Sequence, residues 1–245
     1  MIGRAILSAL SKEVPVTAQS RGEGGDPLRT LVREYPDLQH RVGGRRVLDF
    51  GCGGGDQAGA LARRFGAEVT GLDINERSLE MARRRHGDCV RFVSSLPRGE
   101  VWDVVISQNA MEHYQDPADA LREMRSAVAV KGVVLITFGP PWWAPYGSHM
   151  QFFCRLPWLQ LWFSERTIMA VRAKYRSDGA KRFGEVESGL NKMSLAKFEQ
   201  LIASAGLRVH RIEYTGVRGM HWITRIPLLR ELGTVHVTSV LERTE

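Results

Sequence analysis

From residue 46 onward, short apolar runs alternate with segments whose apolar residues fall at helical spacing. Val47-Leu48-Asp49-Phe50 reads as a strand that runs into glycines. Ala58–Phe65 has helical spacing, Glu68–Asp73 is a second strand, and Glu76–Arg85 is an amphipathic helix with Leu79, Met81 and Ala82 on its inner side. Cys89–Val93 and Trp102–Ser107 read as strands three and four, Pro117–Ala129 as a helix, and Gly132–Phe138 as a fifth strand. Continuously apolar strands separated by helices imply a parallel sheet covered on both faces.

The rhythm breaks at residue 139. Residues 139–190 are irregular and carry Trp142, Trp143, Phe152, Phe153, Trp158 and Trp162 around several prolines. Ser164 reads as the N-cap of a helix over Glu165–Tyr175. The segment is too long for a plain connection and is expected to be an inserted lid, stiffened at its entrance by Pro140-Pro141. Ser194 then caps a helix over Leu195–Ala205 that Gly206 closes, and strands follow at Leu207–Tyr214 and Thr234–Leu241. Before the core, Ser20–Pro27 reads as a turn and Pro27–Glu34 as a short helix. The expected organisation is an arm over 1–45 that covers the core, a core over 46–138, a lid over 139–190, and completion of the core over 191–245.

The segment Asp49-Phe50-Gly51-Cys52-Gly53-Gly54-Gly55-Asp56 stands where a strand becomes a helix. Glycines there let the backbone turn tightly and approach a ligand. A dinucleotide fingerprint beginning at Gly51 would place Asp56 at its third glycine, which a pyrophosphate disfavours. A ligand with an ammonium and a sulfonium and no phosphate, such as S-adenosylmethionine, suits the acidic surroundings better. Asp49 can meet the ammonium, and backbone N–H groups of the loop can meet the carboxylate. Asp73, ending the second strand, can accept ribose hydroxyls.

VLDFGCGGG, VTGLDIN, WDVVISQNAMEHYQDP and KGVVLITF together resemble the class I methyltransferases, and most closely the small bacterial ubiquinone/menaquinone-type family. The resemblance is strong over residues 46–138 and extends in outline over 190–241. It implies a Rossmann-like, seven-stranded, mostly parallel sheet with the last strand antiparallel. It implies S-adenosylmethionine as cofactor and S-adenosylhomocysteine as product. By position, Asp49, Gly51, Cys52 and Gly53 resemble the methionine-binding loop, Asp73 the ribose acid, and Ile74 the residue packing on adenine. The family's acid after strand three is missing here, and Ser95 or Leu96 stands in its place. Gln108, Asn109 and His113 lie where family members touch the cofactor.

For the acceptor, the lid's aromatics suit an apolar or aromatic small molecule, with oxygen as the favoured atom. His149 is the first candidate general base and His221 the second, because a neutral imidazole can take a proton near pH 7. No metal site is expected. The net charge of +7 leaves an RNA- or protein-modifying enzyme open as an alternative, without any basic-aromatic nucleic-acid motif. A non-catalytic cofactor-binding protein is the other. Trp158–Phe163 beside the basic residues 166–182 also suits peripheral contact with a membrane. Three scattered cysteines and the short apolar N-terminal run fit a cytoplasmic location. The oligomeric state is open.

Overall fold

The computed structural model describes residues 2–13, 25–186 and 189–244, so most of the turn expected over 20–27 lies outside the described residues. In chain order the elements are α1 (Ile2–Leu10), α2 (Arg29–Glu34), α3 (Leu38–Val42), β1 (Arg46–Phe50), α4 (Asp56–Phe65), β2 (Glu68–Leu72), α5 (Glu76–His86), β3 (Val90–Val93), β4 (Trp102–Gln108), α6 (Pro117–Ala127) and β5 (Val128–Phe138). Then come α7 (Leu159–Trp162), α8 (Glu165–Arg172), α9 (Leu195–Ser204), β6 (Leu207–Gly216), α10 (Pro227–Gly233) and β7 (Thr234–Arg243).

The strands form one seven-stranded sheet in the order β3-β2-β1-β4-β5-β7-β6. Pairings from β3 through β5 are parallel, and β7 runs antiparallel to both β5 and β6. This is the Rossmann-like arrangement with an antiparallel last strand. Strand order reverses between β1 and β4, so the crevice at their carboxyl ends is where such a sheet binds ligands.

Alternation along the strands sends side chains to two separate cores. Leu48, Phe50, Val105, Ile136 and Phe138 pack under α6 and α9. Val47, Val69, Val104 and Ile106 pack under α4 and α5 and against Leu31, Tyr35 and Leu38 of the N-terminal arm. The helix starts follow the expected chemistry. Asn75, Asp116, Ser164 and Ser194 each accept a hydrogen bond from the first turn of the helix they precede.

Three expectations need correction. β5 begins at Val128, not Gly132, because its first residues reach beyond the core and need no apolar pattern: Val130 and Lys131 are exposed. α8 stops at Arg172, not Tyr175. The Arg172 guanidinium is buried and forks onto both carboxylate oxygens of Asp178 (2.6 Å each), turning the chain back. The arm is not one cover. Residues 28–42 cover the sheet, whereas α1 packs on α8, with Leu7 in a separate core formed by residues of the 139–190 segment.

Most Arg residues of α4 and α5 are neutralised locally. Arg63 pairs with Asp88, Arg64 with Asp26, Arg83 with Glu76 and Arg85 with Asp56.

The arm is fastened by the Tyr35 hydroxyl, fully buried, which donates toward the carbonyls of Ile136 (3.1 Å) and Ser239 (2.9 Å), facing residues of β5 and β7. Tyr35→Phe leaves those carbonyls without this donor. It is expected to cost about 1–2 kcal/mol of stability, read as a lower urea midpoint with unchanged slope.

Candidate functional site

At the end of β1 the chain turns through Gly51, Gly53 and Gly55, all at positive φ (82°, 51° and 77°). A side chain at Gly55 would be strained and would also strike Phe92 and Ala82. The turn is tied to β2, because the backbone N–H groups of Gly51 and Cys52 donate to the Leu72 carbonyl and Gly53 N donates to Asp73 Oδ2 (2.8 Å). Asp73 Oδ1 accepts from Asn75 N (2.8 Å). A carboxylate has about four acceptor positions, so Asp73 keeps capacity for a ligand while holding the loop.

Tyr114, absent from the sequence expectations, supports the turn from beneath. Its hydroxyl donates to the Phe50 carbonyl (3.0 Å) and shares a hydrogen bond with Ser107 (2.9 Å). A Cβ at Gly51 would come within 2.9 Å of that hydroxyl. Burial holds the phenol well above its usual range, so it remains a neutral donor.

A cleft of about 340 Å³ opens beside this turn. Gly51, Asp73, Ile74, Ser95 and Leu96 line it, as the sequence led us to expect. Ile74 is 88% exposed. The opposite wall is acidic, with Asp116, Asp119 and Glu123 from the start of α6. Those carboxylates were missed because Asp116 reads simply as a helix cap, which it also is. Cys52 and Gly53 form the neighbouring turn and do not line the cleft.

Deeper in the crevice stand acceptors with no donor. Asp49 is buried; its Oδ1 accepts from Gln57 Nε2 (2.8 Å), while Oδ2 has no partner. Gln108 Oε1 at the end of β4 is likewise buried and unpartnered. Asn109, at φ 50°, donates its N–H to the Thr137 carbonyl (2.8 Å). Glu112 is buried, with Oε1 accepting from Gly139 N (3.2 Å) and Oε2 free. Burial raises its carboxyl above the usual range. Asn191 straps this turn by donating to the Met111 and Tyr114 carbonyls (2.8 and 2.9 Å). Nothing in the local sequence around Asn191 announces that role.

His113 and His149 meet edge to face, with ring centroids 5.5 Å apart. His113 Nδ1 donates to the Gly189 carbonyl (2.8 Å), so this ring joins the core to the lid and does not line the cleft. His149 is bound to the Pro140 carbonyl, and its Nε2 is buried without a partner. Burial lowers its pKa to about 4. The imidazole is therefore neutral, with a bare Nε2 lone pair, and it does not store a proton near pH 7. His221 sits on an exposed turn between β6 and β7, away from the cleft's lining.

Asp49 yields a pH prediction. Burial raises its carboxyl from 3.8 to about 7, with Asp73's charge adding to the shift. The protonated form suits the fold, so this contribution is complete below pH 4 and is lost as pH rises through about 7. Asp49→Asn is expected to abolish a loss on the order of 2–4 kcal/mol between pH 5 and 8.5, measured by urea melts of the ligand-free protein. An identical slope in both proteins would assign the titration elsewhere.

Comparison with known proteins agrees with this geometry. Residues 48–136 match the family model described as a methyltransferase domain. Among curated proteins, the ubiquinone biosynthesis O-methyltransferase of Neisseria meningitidis serogroup C is 38% identical over 123 residues, covering 46% of this chain and 50% of that protein. The corresponding protein of Bordetella avium is 35% identical over 122 residues, 46% and 49% of the two chains. The chain thus spans about half the length of the curated relatives it matches. Among solved structures, magnesium protoporphyrin IX methyltransferase from Synechocystis with bound S-adenosylhomocysteine shares the fold at 15% identity and a TM-score of 0.55, covering 99% and 94% of the two chains. The [4+2]-cyclase SpnF shares it at 17% identity and 0.54, covering 85% and 80%. Residues 48–136, with the glycine turn, thus match a methyltransferase domain, set in a seven-stranded sheet of the fold shared with solved S-adenosylmethionine-dependent methyltransferases.

Proposed function

We propose that the protein transfers a methyl group from S-adenosylmethionine to an oxygen of a small apolar or aromatic acceptor. The observation that carries this reading is the set of buried acceptors without donors: Asp49 Oδ2, Gln108 Oε1, Glu112 Oε2 and His149 Nε2. They belong to the ends of β1 and β4 and to the segments that follow β4 and β5. Such atoms are costly to leave unpaired, so they call for ligands rich in N–H and O–H. An ammonium near Asp49 and a hydroxyl near Glu112 or His149 meet that demand. A phosphate, having only acceptors, does not.

When bound, the cofactor supplies an electrophilic methyl on a positively charged sulfur. Asp73 is the residue suited to the ribose hydroxyls, and Ile74 to one face of the adenine. The loop of Gly51 to Gly55 offers backbone N–H groups to the carboxylate. The neutral His149 accepts a hydrogen bond from the acceptor hydroxyl and aims its oxygen at the methyl. The bound cofactor would supply a methyl that leaves its electron pair on sulfur, and His149 would keep the acceptor oxygen in line while the hydroxyl proton departs to solvent. Holding the two reactants in line is the main catalytic service this geometry provides.

The relatives named ubiquinone biosynthesis O-methyltransferase favour an oxygen acceptor. The cyclase of the same fold marks the non-methylating alternative. The neutralised Arg pairs on the core count against a nucleic-acid substrate held there. Much of the lid's aromatic content is spent internally, since Trp142, Phe153 and Phe183 build its own core. Point variants are therefore better probes of the lid than truncation.

The test is transfer of labelled methyl to phenols and catechols bearing apolar substituents, beside a tRNA control. Incorporation into tRNA alone would move the reading to nucleic acid, and cofactor binding without transfer to anything would favour a non-catalytic protein. Asp73→Ala is expected to weaken S-adenosylhomocysteine binding by about 1.5–3 kcal/mol for each charged hydrogen bond lost, read by calorimetry. Unchanged affinity would place the ribose elsewhere. His149→Ala is expected to lower kcat about tenfold or more with cofactor affinity kept, and its effect should be flat from pH 6 to 8, because the imidazole is neutral throughout that range.

A further inference from the structure

α1 exposes apolar residues that a buried helix would hide. Ile2, Ile6 and Leu10 are 78%, 49% and 55% exposed, and their spacing of four puts them on one face. Ala5 and Ala9 lie on the same face and are also exposed. The neighbouring face is the one used for packing: Leu7 is buried in the lid core, and Gly3 faces Phe163 and Thr167. Next to that contact, α7 exposes Leu161 and Trp162, the latter to 68%.

The surroundings of this stripe are cationic. Among the described residues, Arg4, Arg155, Arg166, Arg176, Lys181 and Arg182 pair with no carboxylate, unlike the Arg residues of α4 and most of those on α5. Arg166, Arg176 and Lys181 edge a groove of about 460 Å³ floored by Met169, Ala170 and Ala173. At about 100° per residue, Ala170 points about 60° and Met169 about 160° away from Thr167, which α1 faces, so the groove lies on the flank of α8 that α1 leaves uncovered. The β6–β7 connection leaves the same end of the sheet and adds exposed Trp222, Ile226 and Leu229 with Arg225.

We infer that the α1–lid face docks on the surface of an anionic phospholipid bilayer, with the stripe of α1 and Trp162 entering the acyl boundary and the unpaired cations meeting lipid phosphates. Apolar residues next to free Arg and Lys are what such an interface requires. A second copy of this chain is a poorer occupant, because a two-fold contact through the same face sets cations against cations. An RNA backbone would satisfy the cations and leave the stripe in water. No described helix is long and apolar enough to cross a membrane, so the contact is peripheral. This inference does not depend on which acceptor is methylated.

The test is co-sedimentation of the full chain with vesicles of phosphatidylcholine alone and with 30% phosphatidylglycerol. Binding is expected only to the anionic vesicles and is expected to fall at least tenfold in high salt. Ile6→Glu and Trp162→Gln should each weaken it at least fivefold, as should the triple variant Arg166→Glu/Lys181→Glu/Arg182→Glu. These side chains are exposed, so S-adenosylhomocysteine affinity should remain unchanged and report an intact fold. Equal binding to neutral vesicles, no vesicle binding, or unaffected variants would overturn the inference. A dimer of the wild type that Ile6→Glu dissolves, seen by sedimentation velocity without vesicles, would instead assign the face to a second copy.

Discussion

Asp73 ties the two central βα turns together. One oxygen receives the N–H of Gly53 in the turn after β1, and the other receives the N–H of Asn75 at the start of α5. Residues with positive φ can be placed precisely only when something outside the turn holds them, and here that holder is a carboxylate on the next strand. Tyr114 closes the other side, from a turn that Asn191 straps in place. The crevice is therefore shaped by three contacts between segments far apart in the chain. Loss of any one is expected to loosen the loop before it touches a ligand.

The sheet was readable because its parallel strands carry short apolar runs and α5, α6 and α9 carry explicit side-chain caps. The glycine turn, Asp49 and Asp73 were readable because a strand ending in glycines beside acids has few other uses. Tyr114, Asn191 and the acidic wall were not, because each looks like an ordinary helix-start or loop residue until the chain is folded. His149 was visible as a candidate, but its chemistry was not: its low pKa comes from burial, which local sequence does not encode. The arm misled for a related reason. Only tertiary packing sends α1 to the 139–190 segment and α2 to the sheet.

Polar groups are distributed unevenly in this molecule. On the core surface, most charges of the Arg-rich helices are cancelled by nearby carboxylates. In the crevice, acceptors are buried without donors. On the 139–190 segment, several cations stand without a carboxylate partner, Arg172 with Asp178 being an exception. The last two are opposite kinds of deficit, one asking for donors and the other for acceptors, and they sit at the same end of the sheet.

The packing of α1 on α8 also constrains how the chain acquires its structure. Gly3 faces Thr167, so α1 has no partner until α8 has been synthesised. A nine-residue helix is too short to persist alone in water. The intervening core can complete its parallel strands β1 to β5 while α1 is still unfolded. Its docking must then close a loop that encloses strands β1 to β5, at an entropic cost that grows only slowly with loop length. α1 and α8 are thus made at opposite ends of this interval but gain stability in one event, and α1 stays an exposed apolar segment until that event occurs.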